Sequence, residues 1–250
     1  MIPSRTLSLL NQPGPPALLV SLPANDLDLA RAALDGGADG LKVHINVHHA
    51  AAGVQFGSLA QERAALEEIV SLGLPVGIVP GDAAAFIAPE EVRDLAAIGL
   101  DYMDVYLGVM PAWLLQQEAV AVMAALGHED MAHPHRLKAL ASLPQVAMVE
   151  ASIVPHEGYG TPLSVADLCD YTEVADAMSA QVADAMSAAG KPVIVPTQRR
   201  IGLADLRGLA QTGIRGLLIG AIVTGREPDQ LRMVTQRYQD ALQGLAQGQG

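Results

Sequence analysis

Lys42, His44, Asn46 and His48 occupy alternate positions of the stretch LKVHINVHHAAAG (Leu41–Gly53). In an extended strand that spacing turns all four polar side chains to one face and Leu41, Val43, Ile45 and Val47 to the other. Buried polar groups need partners, so a strand that turns four of them inward is better explained by function than by stability. Lys42 or His44 could stabilise a developing enolate, and Lys42 could form a Schiff base if its surroundings lowered its pKa.

Two carboxylates share the pattern. Asp104 alternates with Tyr102 and Tyr106 in YMDVYL, and Glu150 alternates with Met148 and Ser152 in VAMVEASI. A carboxylate at a desolvated strand end acquires the raised pKa that proton transfer needs. Glu150 is the first candidate for moving a proton, with a salt bridge to Lys42 as its structural alternative. Asp104 is the second, with a loop or cap acceptor as its alternative. Asn46, His48, Tyr106, Ser152 and His156 are expected to touch substrate.

A metal reading of the histidines fails on geometry. His44 and His48 would lie about 13 Å apart along a strand, too far for two ligands of one ion at about 2 Å. A site would need recruited ligands such as His156 and Glu157 from VPHEGYG, while HEDMAHPH (His128–His135) reads as an exposed helix-entry loop. No metal and no cofactor is expected.

Eight β-rich runs (17–22, 40–47, 75–79, 102–107, 119–125, 146–153, 192–197 and 216–221) alternate with alanine-rich amphipathic segments. Glycines such as Gly73, Gly99, Gly190 and Gly213 stand between helix and strand, as left-handed caps would. Eight βα units in 250 residues predict an α/β protein, a single-domain (β/α)8 TIM barrel over 17–243. Residues 1–16 form an N-terminal segment and 244–250 a flexible tail. The run 119–125 is the weakest strand, since it could continue a helix from Trp113; an open doubly wound sheet is then the alternative. VADAMSA recurs in tandem at Val174–Ala180 and Val182–Ala188, which lengthens a helix instead of making a site.

A net charge of −12, with 15 basic against 27 acidic residues, argues against nucleic-acid or anionic-membrane partners; Arg199-Arg200 is a local exception. Cys169 is the single cysteine and the opening MIPSRTLSLLNQPGPP lacks a signal-peptide core, so a soluble protein of the reducing cytoplasm is expected. No apolar run approaches the roughly 18–20 residues of a membrane span. Met110 and Trp113 read first as core and second as a homo-oligomer interface.

The closing stretch GKPVIVPTQRRIGLADLRGLAQTGIRGLLIGAIVTG (Gly190–Gly225) resembles the end of the ribulose-phosphate-binding TIM-barrel superfamily. The resemblance implies a small phosphorylated metabolite as partner. Its phosphate would be held by N–H groups of Gly220 and Ala221, by close approach at Gly202 and by the charge of Arg199 or Arg200. The layout is most similar to N-acetylmannosamine-6-phosphate 2-epimerase, through ALDGGADGLKV, LPVGIVPGD, FIAPEEVRDLAAIGLD and EGYG. The catalytic residues of that family do not carry over. Pro80 replaces its strand-three lysine, Ala125 its strand-five aspartate and Gln198 its strand-seven glutamate, while Lys42 at its strand-two arginine keeps the charge. The resemblance therefore implies the scaffold and a phosphorylated ligand, not that epimerisation. Three functions follow as expectations: an isomerase, epimerase or lyase acting on a small phosphorylated carbonyl compound; a non-catalytic or regulatory barrel that binds such a metabolite; and a transferase of the prenyl-glyceryl-phosphate type.

Overall fold

A computed structural model describes residues 2–49, 53–179 and 190–247. Its strands are β1 (Ala17–Ser21), β2 (Gly40–His44), β3 (Val76–Val79), β4 (Tyr102–Tyr106), β5 (Ala121–Leu126), β6 (Val146–Ala151), β7 (Val193–Pro196) and β8 (Gly216–Ile219). All pair in parallel, in sequence order, and β1 closes the ring on β8 through Ala17↔Gly216 to Val20↔Ile219. That closure makes the fold a (β/α)8 barrel and excludes the open sheet. The run after Trp113 is a strand, every residue of which is buried.

Helices α2 (Leu27–Asp35), α3 (Leu59–Val70), α4 (Val92–Ile98), α5 (Pro134–Ala141), α6 (Val165–Ser179), α7 (Leu206–Ala210), α8 (Ala221–Thr224) and α9 (Pro228–Gln247) surround the barrel. Strand residues of one parity, such as Leu18, Val20, Leu41, Val43, Met103, Val105, Leu217 and Ile219, pack against them. At α4 the chain leaves through Gly99 at φ 98°, a conformation that costs glycine little, and turns directly into β4. Trp113 packs partly buried against the outer core, edge-on to Phe86.

The opposite parity faces the lumen. Its lower half is apolar, built from Leu19, Tyr102, Met123, Met148, Ile194 and Leu218. Any Cβ at Gly77 would fall inside the Tyr102 ring, so this glycine gives the phenol its space. The N-terminal segment closes the lumen from below as helix α1 (Arg5–Leu10), whose Leu10 joins that apolar layer. Asp101 anchors the helix start, accepting from Ser4 Oγ at 2.8 Å and from the N–H groups of Arg5 and Thr6 at 2.7 and 2.9 Å.

Three boundaries differ from the sequence expectation. β2 stops at His44 because Asn46 adopts φ 58°, a left-handed conformation that asparagine tolerates better than most side chains. The chain then makes a small hairpin in which His48–His49 pairs with Val54–Gln55. The run 216–221 ends as a strand at Ile219, and Ala221 already opens α8. At the C-terminus α9 runs as helix to Gln247, through most of the segment expected to be a flexible tail. The second VADAMSA copy, Val182–Ala188, lies outside the described residues.

Candidate active site

At the carboxyl ends of the strands the lumen widens into a cavity of about 350 Å³, lined in part by Lys42, Asp104, Glu150, Ser152 and Tyr106. Lys42 projects from β2 at the bottom of this space, 6% exposed. Its Nζ donates to Asp104 Oδ2 at 2.8 Å and to Glu150 Oε2 at 2.5 Å, bridging β4 and β6. The salt bridge foreseen for Glu150 is therefore present, and Asp104 shares it. Asp104 lies within β4 and caps no loop, which removes the structural alternative considered for it.

One buried cation facing two buried carboxylates leaves a negative charge in excess unless one carboxyl keeps a proton. Burial pushes the Asp104 carboxyl up, with the neighbouring Glu150 charge adding to the effect and Lys42 opposing it, to about 8. Burial would also raise Glu150, but Lys42 and the hydrogen bonds from Asp104 and Ser152 outweigh it and hold that carboxyl below its ordinary range. The expectation that Glu150 carries the raised pKa is thus corrected. Glu150 is the better solvated by protein donors, with Ser152 Oγ donating to its Oε1 at 2.6 Å, while Asp104 Oδ1 has no hydrogen-bond partner. For Lys42, burial lowers the pKa, yet Asp104 and Glu150 together hold it above its ordinary value. The condition for a Schiff-base lysine, a lowered pKa, is not met.

Burial and the nearby Lys42 charge favour the neutral form of the two histidines His44 and His49. His44 sits well below its ordinary value through burial first and then the proximity of His49 and Lys42. His49 is lowered to about 4 by burial and by Lys42. The rings pack edge to face, centroids 4.5 Å apart, with Phe56 4.9 Å from His44 on the same wall. His44 Nδ1 is buried without a hydrogen-bond partner. Among the described residues no group of three or more His, Cys, Asp or Glu side chains could hold a metal ion.

The opposite rim comes from β7, β8 and the loop after β6. Thr197 Oγ1 accepts the Gly220 N–H at 3.0 Å, so that amide is occupied. Gln198 Oε1 accepts the Val154 N–H at 3.1 Å, and its Nε2 donates to Tyr159 Oη at 2.7 Å and to the Ser152 carbonyl at 3.3 Å.

The cavity thus brings together ten residues singled out from sequence: Lys42, His44, His48, Asp104, Tyr106, Glu150, Ser152, His156, Gly220 and Ala221. Four others lie elsewhere. The Asn46 side chain donates to the Pro80 carbonyl at 3.2 Å and holds the turn after β2. Arg199 is turned outward, its Nη2 2.9 Å from Asp167 Oδ1 and its Nη1 on the Gly158 carbonyl at 3.1 Å. Arg200 is exposed, and Gly202 caps a turn by donating to Asp205 Oδ2 at 2.7 Å. Sequence reasoning passed over His49 and Tyr159 as site residues and treated Gln198 only as a replaced acid. Ser21 lines the cavity from the end of β1, where strand alternation places it, whereas Tyr159, in a loop, offered no signal beyond following β6.

The fold and the polar mouth together define a TIM barrel with its candidate site at the carboxyl ends of the strands. Solved structures similar to it include tryptophan synthase from Mycobacterium tuberculosis, at TM-score 0.67 and 19% identity over 92% of this chain and 93% of that one. Phosphoribosyl anthranilate isomerase from Thermus thermophilus gives 0.61 and 16% over 90% and 98%. KGPDC from Streptococcus mutans, in complex with D-R5P, gives 0.61 and 13% over 92% and 98%. At such identities the likeness establishes the fold alone, a (β/α)8 barrel. No protein-family model and no curated protein sequence matches the chain.

Proposed function

We propose that the protein is an enzyme that enolises a small phosphorylated carbonyl compound by acid/base chemistry, as an isomerase, epimerase or lyase. The observation that carries this is the buried Lys42, Asp104 and Glu150 group at the bottom of an open cavity. Two carboxyls whose surroundings push their pKa values apart make an acid and a base. Glu150, ionised, takes the proton from the carbon next to the carbonyl. Asp104, protonated, gives its proton to the carbonyl oxygen, and Lys42 offsets the charge that develops there. Return of a proton to the same carbon from the other face gives an epimer, and to its neighbour an isomer.

A cavity of about 350 Å³ suits a small metabolite. Support for a phosphate comes from the short helix α8 after β8, a common phosphate position in this fold, and from neighbours such as the KGPDC complex with D-R5P. Ala221 and the hydroxyls of Ser21 and Thr197 offer the donors in this reading; the two arginines do not.

The test is incubation in D2O with a panel of small aldoses, ketoses and their phosphates, followed by NMR. Deuterium should enter at the carbon next to the carbonyl, and Glu150→Gln should abolish this while ligand binding persists. Binding without exchange across the panel would replace the enzyme by a barrel that holds its metabolite unchanged. That second reading is favoured by Ala125 and Gln198, which stand on the cavity wall where the resembled family carries acids.

A further inference from the structure

Gln198, 6% exposed, is held between a group that can only donate and a group that can only accept. Its Oε1 accepts the Val154 N–H at 3.1 Å, and its Nε2 donates to the Ser152 carbonyl at 3.3 Å. A backbone N–H cannot accept and a carbonyl cannot donate, so the side-chain amide has one orientation. The same Nε2 lies 2.7 Å from Tyr159 Oη. An amide nitrogen donates and does not accept, so the phenol oxygen is the acceptor in this contact and its own proton points elsewhere. Burial raises the pKa of that phenol above its ordinary value, so the proton is present at neutral pH.

The loop carrying Tyr159 is fixed on both sides of it. The Gly160 N–H donates to the Gln198 carbonyl at 2.8 Å, the Arg200 N–H donates to the Thr161 carbonyl at 2.8 Å, and Arg199 Nη1 donates to the Gly158 carbonyl at 3.1 Å. The His156 ring packs edge-on to the phenol, centroids 5.0 Å apart, and both rings line the cavity.

We infer that Tyr159 is a substrate-binding residue that presents its O–H to an oxygen of the ligand, and that Gln198 is the positioning residue that aims it. The inference rests on the acid/base reading for the identity of the site, and it adds a donor on the rim from which Arg199 is turned away. It also gives a role to the amide at position 198. A carboxylate there would accept from the Val154 N–H and from the phenol as well, and would draw the Tyr159 proton out of the cavity.

Neutron diffraction from deuterium-exchanged crystals of the full-length protein locates that proton. The wild type should show the Tyr159 deuteron directed into the cavity and a deuteron on Gln198 Nε2 directed at Tyr159 Oη. In Gln198→Glu, with its carboxylate ionised, the Tyr159 deuteron should lie on residue 198. A wild-type deuteron lying on Gln198, or on the neighbouring phenol of Tyr106, would overturn the proposal. The second arm follows the D2O exchange of aldose and ketose phosphates. Tyr159→Phe should raise KM up to about tenfold, the worth of one hydrogen bond, with kcat changed less. Gln198→Glu should raise KM comparably, and adding Tyr159→Phe to it should do nothing further, because the proton has already been withdrawn. Simple loosening of the loop would instead give losses that add in the double variant. An unchanged KM in Tyr159→Phe, or additive losses, would overturn the assignment. If no compound exchanges deuterium, it is the acid/base reading that has failed; the neutron map, with dissociation constants for the same compounds in place of KM, then decides the role of Tyr159.

Discussion

The lower and upper halves of one lumen are built from the same strands and have opposite chemistry. In the lower half Leu19, Tyr102, Met123, Met148 and Ile194 interlock above the α1 plug. Two residues further along the same faces, β4 places Asp104, β6 places Glu150, and β2 places Lys42 beyond Gly40. Strand periodicity alone aims both sets inward, so the barrel offers a polar group the same position it offers an apolar one. The difference is which end of the strand the residue occupies. The apolar floor gives the stability that holds a charged, partly unsatisfied mouth in place.

That contrast can be broken from the mouth first. Lys42→Met leaves Asp104 and Glu150 facing each other without a cation, and denaturant unfolding should show a loss of about 4 kcal/mol at pH 8. The loss should shrink in acid, where both carboxyls can be protonated. In the floor, Met148→Ala should cost about 3 kcal/mol by opening a cavity. It should do so equally at pH 5 and pH 8, because no titrating group depends on it.

The proton on Asp104 gives stability its own pH dependence. Its folded pKa is raised above its unfolded value of 3.8, so the folded state binds a proton that the unfolded state has lost. This contribution is complete below pH 4 and is lost as pH rises toward 8, with a slope of at most about 1.4 kcal/mol per pH unit. Glu150 has the opposite sign, its contribution being lost as pH falls through its lowered pKa, so it acts only at the acid end. Asp104→Asn should flatten the decline between pH 5 and 8 in an unfolding series.

The smallest effect belongs to Arg199, which ties the loop after β7 to α6 through Asp167 and to the loop after β6 through Gly158. Arg199→Ala should cost about 1 kcal/mol of stability. Titration of inorganic phosphate should leave its affinity unchanged, whereas a drop of tenfold or more would return Arg199 to the site.

The same contrast explains what could be read from the sequence. Strand alternation located Lys42, His44, Asp104, Tyr106, Glu150 and Ser152 on inward faces, because within a strand periodicity fixes direction. It failed at Asn46, where a single left-handed residue ended β2 before the alternation in the sequence did, while His48 reaches the cavity from the hairpin beyond. The phosphate arginines were assigned from a loop, where no period fixes direction, and a distant acid, Asp167, captured Arg199. The division of labour between Asp104 and Glu150 depends on β2, β4 and β6 meeting at Lys42, which no local stretch displays.

The central claim is that one proton stays on the buried Asp104 and Glu150 pair beside Lys42 at neutral pH. Infrared difference spectra of the wild type against Asp104→Asn test it directly. At pH 7 the wild type should show the C=O absorption of a protonated carboxyl, fading as pH rises through about 8 and missing from Asp104→Asn. A wild-type spectrum at pH 7 with carboxylate absorption alone would contradict the account.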